Sequence, residues 1–225
     1  MDQEIRARLA GSTLIAAALL EVVAMSHHPT VTTPDIMEAV RQIAHSSALA
    51  AVVHGVLMAL MLIIVYGLSE FASRRDATRP AIRAGIIAYL AGVIVMLGAA
   101  MVSGFIVPGL MALTAHNSPA DLAVNVQLLV LCRVLNQSCA NFGSVAMSAG
   151  IAFWSIDLLR RDAGWRRGIG VAGIVIGVLP AAALILGALH LNVQGMSAVI
   201  MLQSLWYCGV GVVFLRDPSD AWRAA

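Results

Sequence analysis

The sequence predicts an all-α integral membrane protein, built as a bundle of six transmembrane helices. The first observation is composition: of 225 residues, 60% are hydrophobic and 12% are charged, and the mean hydropathy is +0.88, far above the balance of a soluble domain. The second is the division of the chain into six long apolar runs, and the third is the restriction of arginine to alternate links between them. Together they predict one transmembrane domain over residues 1–225.

Each apolar run is long enough to cross a bilayer, because about 20 mostly apolar residues at 1.5 Å each span the hydrocarbon layer. The third run begins after Arg79-Pro80, and Pro108 is expected to kink or end it. The fourth is longer than one crossing needs, so we expect it to tilt or to project into water. The predicted spans cover about residues 9–28, 45–70, 81–113, 121–159, 169–190 and 197–215.

Arginine sets the predicted orientation. The chain has no lysine, and of its 14 basic residues only Arg41 and Arg133 lie away from one set of span ends. Because positively charged links stay in the cytoplasm, both termini are predicted to be cytoplasmic, in a bacterial inner (cytoplasmic) membrane. The net charge of +2 then reflects topology and does not indicate a nucleic-acid partner.

The link between spans one and two, residues 29–44, has the pattern of a short amphipathic helix. Thr33, Pro34 and Asp35 supply a helix start. An apolar stripe follows, which includes Val40 and Ile43. We predict that this helix lies on the outer surface and covers the bundle.

Span two carries a stripe of soft and titratable side chains. Ser47, His54, Met58 and Met61 follow one another at i, i+7, i+11 and i+14, which places them on one face of a helix. Lipid offers such groups no partner, so this face is predicted to point into the protein.

The histidines all fall on the predicted outer side, and His54 lies about 13 Å deeper than the start of its span. Taken singly, a histidine at the end of a span more often only meets water and headgroups. Taken together, they predict a metal or haem site, because imidazole suits copper, zinc and iron, and thioethers favour cuprous copper. The predicted ligands are His54 as the deep ligand, His28 and His190 as outer ligands, and Met58 as an accessory soft ligand.

Two charges lie within predicted spans. Glu21 in span one needs a partner inside the membrane, and Arg133 in span four is the simplest one, which predicts a buried ion pair. Span four is the most polar helix, so it is expected in the centre of the bundle. Glu21 is also the candidate catalytic residue. The predicted buried polar cluster consists of Glu21, Arg133, Asn136, Gln137 and Asn141.

We therefore predict a polar, histidine-containing cavity that faces the periplasm and binds a transition metal (copper or zinc) or haem. Three alternatives stay open. One is a membrane-embedded zinc hydrolase, in which three histidines hold zinc and Glu21 is the base. Another is a small transporter or proton relay, and the last is a non-catalytic accessory subunit.

The predicted partners are the lipid bilayer and either other membrane subunits or further copies of this chain. No nucleic-acid partner is predicted. The glycines of residues 168–173 match G-x-G-x-x-G, but no strand precedes them and an arginine-rich link adjoins them, so this segment does not predict dinucleotide binding.

Overall fold

A computed structural model describes residues 3–31, 33, 35–114 and 119–217 of the chain. These residues form helices and short links, with no β-strand among them. A five-residue π-helix, Val102–Ile106, joins the fourth helix to the fifth. The α-helices are α1 (Gln3–Ser26), α2 (Ile36–His45), α3 (Ser47–Arg74), α4 (Pro80–Met101), α5 (Val107–Thr114), α6 (Pro119–Arg161), α7 (Gly164–Ile185) and α8 (Val193–Arg216).

Six helical segments in the described part of the chain are long and apolar enough to span a membrane: α1, α3, α4 continued through α5, α6, α7 and α8. The predicted all-α bundle with six spans is confirmed at this level. Helix α6 packs against α4 and α7, and α1 packs against α3 and α8.

The two ends of the bundle differ in chemistry. At one end the Arg74 guanidinium donates a 2.7 Å hydrogen bond to the carbonyl of Gln3, and Arg166 pairs with Asp217 at 2.6 Å. Both described ends of the chain therefore lie together, and we call this the arginine end. The opposite end carries His28 and His54 and is called the histidine end.

Ion pairs connect four elements at the arginine end. Arg75 is 2% exposed and pairs with Asp157 and with Asp162, the latter at 2.6 Å. Arg161 and Arg166 approach the same two carboxylates, each at 3.5 Å. This arginine–aspartate network joins the end of α3, the end of α6, the start of α7 and, through Asp217, the end of α8.

An aromatic cluster fills the core on the arginine side. The indoles of Trp154 and Trp206 stack with 6.1 Å between ring centroids and 4° between planes. The hydroxyls of Tyr89 and Tyr207 are 2.8 Å apart, which satisfies both phenols inside the bundle. The cluster comprises Phe71, Tyr89, Trp154, Trp206, Tyr207 and Phe214, all fully or almost fully buried.

Span three passes through Pro108 without ending. Proline has no N–H, so the helix loses the bond that residue 108 would donate to Gly104, and the ring also crowds that carbonyl. The chain responds with the π-helix, in which the N–H of Val107 donates to the carbonyl of Val102. The predicted kink or end at Pro108 thus takes the form of a local π-turn, after which α5 continues to Thr114.

Span five ends about one turn earlier than predicted. Gly187 has φ 71°, a left-handed conformation that favours glycine, and the N–H of Ala188 donates to the Ala183 carbonyl at 2.8 Å. This is how a glycine commonly closes a helix. Helix α8 then begins at Val193, where the Asn192 side chain accepts from the N–H of Gly195 at 2.8 Å.

A short helix forms in the link between spans one and two. Asp35 caps it by accepting a 2.8 Å hydrogen bond from the N–H of Glu38. The helix packs against α5 and α3, and its own residue Val40 is buried. Its place on the outer membrane surface stays a prediction.

Candidate functional site

A cavity of about 330 Å³ lies inside the bundle towards the histidine end. Five α-helices, α1, α3, α4, α6 and α8, surround it together with the π-helix and the link before α8. Most of its wall is apolar, made of aliphatic and methionine side chains, and polar groups also line it. Its polar and thioether lining residues are Glu21, Met25, His28, His54, Met61, Met96, Ser103, Asn136, Gln137, Ser144, Met147, Asn192, Met196 and Gln203.

His28 and His54 meet at the cavity wall. The Nε2 atoms of the two rings are 3.3 Å apart, and the ring centroids are 4.9 Å apart with 68° between the planes. His28 follows the end of α1 and is half-buried, whereas His54 lies within α3 and is 5% exposed. The structure thus brings together two of the residues that the sequence predicts as ligands.

Each imidazole is fixed through its other nitrogen. Nδ1 of His28 is 2.9 Å from the carbonyl of Pro29, and Nδ1 of His54 is 2.8 Å from the carbonyl of Ala50. A carbonyl oxygen only accepts, so Nδ1 carries the proton in both rings. In the neutral rings, both Nε2 lone pairs therefore point at the shared space.

The environment keeps His28 neutral near pH 7. Burial lowers the pKa of His28 below its usual value, and this effect outweighs the opposing hydrogen bond to Pro29. Two neutral rings with facing lone pairs repel each other at this distance. A shared proton or a metal ion between the two nitrogens removes that repulsion.

The π-helix supports His54 from behind. A Cβ atom at Gly104 would collide with the Cβ and Cγ atoms of His54, so only glycine allows this approach. The neighbouring Ser103 faces the cavity and donates a 2.9 Å hydrogen bond to Asn136 on α6. The distortion that Pro108 causes therefore falls at the histidine pair, as π-turns often do at functional sites.

Five thioethers line the same cavity: Met25, Met61, Met96, Met147 and Met196. They come from five different parts of the chain, and Met25, Met61 and Met147 are each 5% exposed or less. Methionine is also a common filler of irregular cores. Its concentration around a histidine pair supplies soft donors for a metal ion.

Glu21 lies deeper along the cavity, seven residues before His28, which is about 10 Å at 1.5 Å for each residue. It is 6% exposed. Within the described residues, no hydrogen bond or ion pair reaches its carboxylate.

The predicted pair of Glu21 with Arg133 does not form. Arg133 is exposed, and no ion pair between the two is present in the part of the chain that the structure describes. Arg133 lies one turn beyond Gln137, outside the stretch of α6 that lines the cavity, so it does not reach the depth of Glu21. The prediction is corrected: Arg133 lies on the surface.

The polar residues of α6 divide between the cavity and the surface. Asn136 and Gln137 line the cavity, and Gln137 also donates to the carbonyl of Leu191 at 3.1 Å. Asn141 is exposed, because it is rotated by about 90° from the stripe that faces the cavity. The predicted polar cluster thus keeps Glu21, Asn136 and Gln137 and loses Arg133 and Asn141.

Two predicted ligands lie apart from the histidine pair. His190 is exposed in the link that follows the early end of α7, and it does not line the cavity. Met58 is half-buried but is rotated by about 70° from the side of α3 on which Leu57 and Met61 face the cavity. The structure offers Met61 and Met25 in place of Met58.

The three-histidine zinc site of the hydrolase alternative is not assembled. No group of three or more histidine, cysteine, aspartate or glutamate side chains that could hold a metal ion is found in the described ranges. His27 is exposed and bonds to the carbonyl of Val23. His116 lies outside the described residues.

Sequence reasoning did not identify Ser103 and Gly104 as part of this site, nor three of its methionines, Met96, Met147 and Met196. The combination of Gly104 and Pro108, spaced i and i+4, was the available signal for a π-turn. Comparison with known proteins finds no protein family, no curated protein and no solved structure that matches this chain.

Proposed function

We propose that this protein binds a soft transition-metal ion, cuprous copper above all, between His28 and His54 inside a membrane. The observation that carries the proposal is the pair of Nε2 atoms 3.3 Å apart, each belonging to a ring anchored by its Nδ1 atom. Such an anchored imidazole is the usual form of a metal-ligating histidine, because the second hydrogen bond fixes both tautomer and orientation.

The separation of the two nitrogens matches a shared ion. Two ligands at 2.0–2.1 Å from a metal and at the tetrahedral angle lie about 3.3–3.4 Å apart. The pair therefore needs little rearrangement to bind an ion, and one or two thioethers from the cavity wall complete the coordination.

The available donors favour copper over zinc. A zinc site takes three or four nitrogen, thiolate or carboxylate ligands, whereas the described residues supply two imidazoles and neutral thioethers near them. Thioethers select cuprous copper. Two histidine rings with thioethers thus make a soft site with little negative charge.

Haem is the weaker of the predicted cofactors. Histidines on opposite faces of a haem iron hold their nitrogens about 4 Å apart, at about 2 Å on each side of the porphyrin plane. His28 and His54 are already in contact at 3.3 Å and leave no gap for that plane.

The proposed location is a bacterial inner membrane, with the histidine end towards the periplasm. The arginine end holds the arginine–aspartate network and both described chain ends, and positive residues are retained on the cytoplasmic side. In this orientation the metal is taken from the outside and held within the outer half of the bilayer.

The test is metal analysis of the protein purified in detergent without a metal-binding tag, followed by competition with a cuprous chelator. We expect about one copper per wild-type chain. Single variants His28→Ala and His54→Ala should weaken retention by about 10–100-fold or more, because each removes a direct ligand. Elemental analysis and the chelator titration give stoichiometry and affinity independently.

His27→Ala is the matched control, because His27 adjoins His28 but is exposed and bonds only to its own helix. It should keep wild-type copper. If the His28 and His54 variants also keep it, or if the wild-type protein reconstituted with cuprous copper binds none, the proposal fails.

A further inference from the structure

The inner end of the cavity holds a buried acid that the metal proposal does not use. Glu21 lines the cavity, is 6% exposed and has neither hydrogen bond nor ion pair within the described part of the chain. A carboxylate at membrane depth costs several kcal/mol when nothing compensates its charge. Because Glu21 lines the cavity, a cation that enters the cavity can reach the carboxylate and, as its partner, compensate its charge.

The surroundings of Glu21 exclude a hard metal ion as that partner. Calcium takes six to eight oxygen ligands, and magnesium demands a near-ideal octahedron. No second carboxylate lines the cavity among the described residues. The other polar and thioether groups that line the cavity are imidazoles, amides, hydroxyls and methionine sulfurs.

Neutral groups that can accept hydrogen bonds line the same cavity as Glu21. Ser144 is 1% exposed, lines the cavity and has a hydroxyl without a hydrogen-bond partner in the described structure. Gln203, on α8, is held by Ser148 at 3.1 Å and by the Tyr207 hydroxyl at 3.4 Å, so its amide is fixed in place. A carboxylate and a free hydroxyl suit a cation that has several N–H donors.

The remainder of the cavity is apolar and of molecular size. About 330 Å³ is within the range of small-molecule sites, which are mostly hydrophobic with a few placed polar groups. The aliphatic and thioether wall extends about 10 Å along α1 from Glu21 to His28. This length fits an alkyl chain of about six carbons.

We propose that the cavity binds a small lipophilic amine, with its ammonium group on Glu21 and its apolar tail along the methionine-lined wall. The ammonium supplies the charge that the carboxylate lacks, and Ser144 accepts a further N–H. The ammonium end of this site lies away from the histidine pair, and amine binding is expected without bound metal.

The test compares n-hexylamine with its neutral analogue n-hexanol by isothermal titration of the full chain in lipid nanodiscs, with protein-free nanodiscs as the blank. In the wild type, the amine should bind at least about tenfold more tightly than the alcohol, because it forms a charge-assisted hydrogen bond in a buried site. Equal affinities, or no binding of the amine above the blank, would overturn the proposal without any variant.

Glu21→Gln then locates the effect. It keeps the side-chain volume and removes the charge, so the preference for the amine should fall to about that of the alcohol while n-hexanol binding stays. Glu4→Gln is the control, since Glu4 is exposed on the same helix and pairs with Arg8. If Glu21→Gln retains the wild-type preference, the amine binds elsewhere and the inference is wrong.

Copper binding provides the distinction from the metal proposal. His28→Ala, tested for n-hexylamine in metal-free buffer, should keep the amine preference although it loses copper. Glu21→Gln should keep copper although it loses the amine. A wild-type protein that binds copper but shows no preference for the amine overturns the amine proposal alone, and one that prefers the amine but binds no copper overturns the metal proposal alone.

Discussion

At His54, three neighbours determine what the imidazole can do. The Ala50 carbonyl fixes its Nδ1 proton, the ring of His28 faces its Nε2, and the backbone of Gly104 supports it from behind. None of these neighbours is a side-chain acid. The reactivity of the pair therefore comes from two lone pairs that are held in place.

The Gly104→Ala variant tests this confinement. Its added methyl group would collide with the Cβ and Cγ atoms of His54, which are the fixed base of that side chain. We expect a loss of about 1–3 kcal/mol of stability, as overpacked cores show, together with weaker copper retention. Thermal unfolding and chelator competition would measure the two effects.

Gly98→Ala is the matched control, because a Cβ at Gly98 meets nothing within 4 Å. It should leave copper binding unchanged and stabilise α4 slightly, since alanine favours a helix interior. A Gly104→Ala variant that behaves like Gly98→Ala would show that the π-helix does not constrain His54.

Among the elements, the π-helix has the clearest cause and the most specific consequence. It begins one residue after α4 ends, and it presents Ser103 to Asn136 and Gly104 to His54. An α-helical segment in place of the π-helix would be one residue shorter. Ser103 and Gly104 would then be rotated by about 100° relative to α5. The site thus depends on a defect in span three.

Pro108→Ala is expected to remove this defect. With an N–H at position 108, the bond to the Gly104 carbonyl can form and the π-turn can revert to an α-helix. The Ser103–Asn136 hydrogen bond should then break and copper affinity should fall, even though the helix itself gains a hydrogen bond. Structure determination of the variant and a copper titration would check both points.

Pro180→Ala serves as its control. Pro180 is also buried within a helix, α7, but this helix does not line the cavity. Its replacement should leave copper affinity at the wild-type value. Equal losses in both variants would mean that proline acts through overall stability and not through the π-turn.

The helices also show how much of the structure can be predicted from the sequence. The spans follow from apolar length, and the cap at Asp35 follows from residue type, since both depend on local chemistry. Side-chain direction within a span depends on helix rotation, which apolar patterns define poorly when lipid and core are both hydrophobic. For this reason His28 and His54 were identified together, whereas Arg133, Asn141 and Met58 were assigned to the wrong side and His190 to a helix that Gly187 had already ended.

Across the whole molecule, the arginine end and the histidine end of the bundle differ in structure. The arginine end is held by charge: Arg75 is 2% exposed and Asp157 is 4% exposed. From the sequence, these arginines indicated only the orientation of the chain, because their acidic partners lie far away in the sequence. Arg75 and Asp157, for example, are 82 residues apart. The histidine end holds the cavity and the His28–His54 pair.

Asp157→Asn tests the structural role of the network. Removing one charge leaves Arg75 buried with reduced compensation, so we expect a loss of about 3–5 kcal/mol, as for other broken buried pairs. Tryptophan fluorescence during thermal or denaturant unfolding reports it, because Trp154 adjoins the network. Copper binding at the far end should survive under conditions in which the variant is folded.

Glu4→Gln gives the comparison for an exposed pair, since Glu4 and Arg8 are both more than half exposed. Its effect should stay below about 1 kcal/mol. A similarly small effect for Asp157→Asn would show that the network contributes to orientation and not to stability.

The stacked indoles of Trp154 and Trp206 also have a consequence for permeation. They lie between the inner end of the cavity and the arginine end, with Tyr89 and Tyr207 joined beside them. In the described part of the chain these rings are packed and buried, so we expect a molecule that enters the cavity to leave by the entrance it used. In a planar bilayer this architecture should carry no current, and the membrane potential would fall across the aromatic layer, which is the electrical behaviour of a receptor pocket and not of a pore.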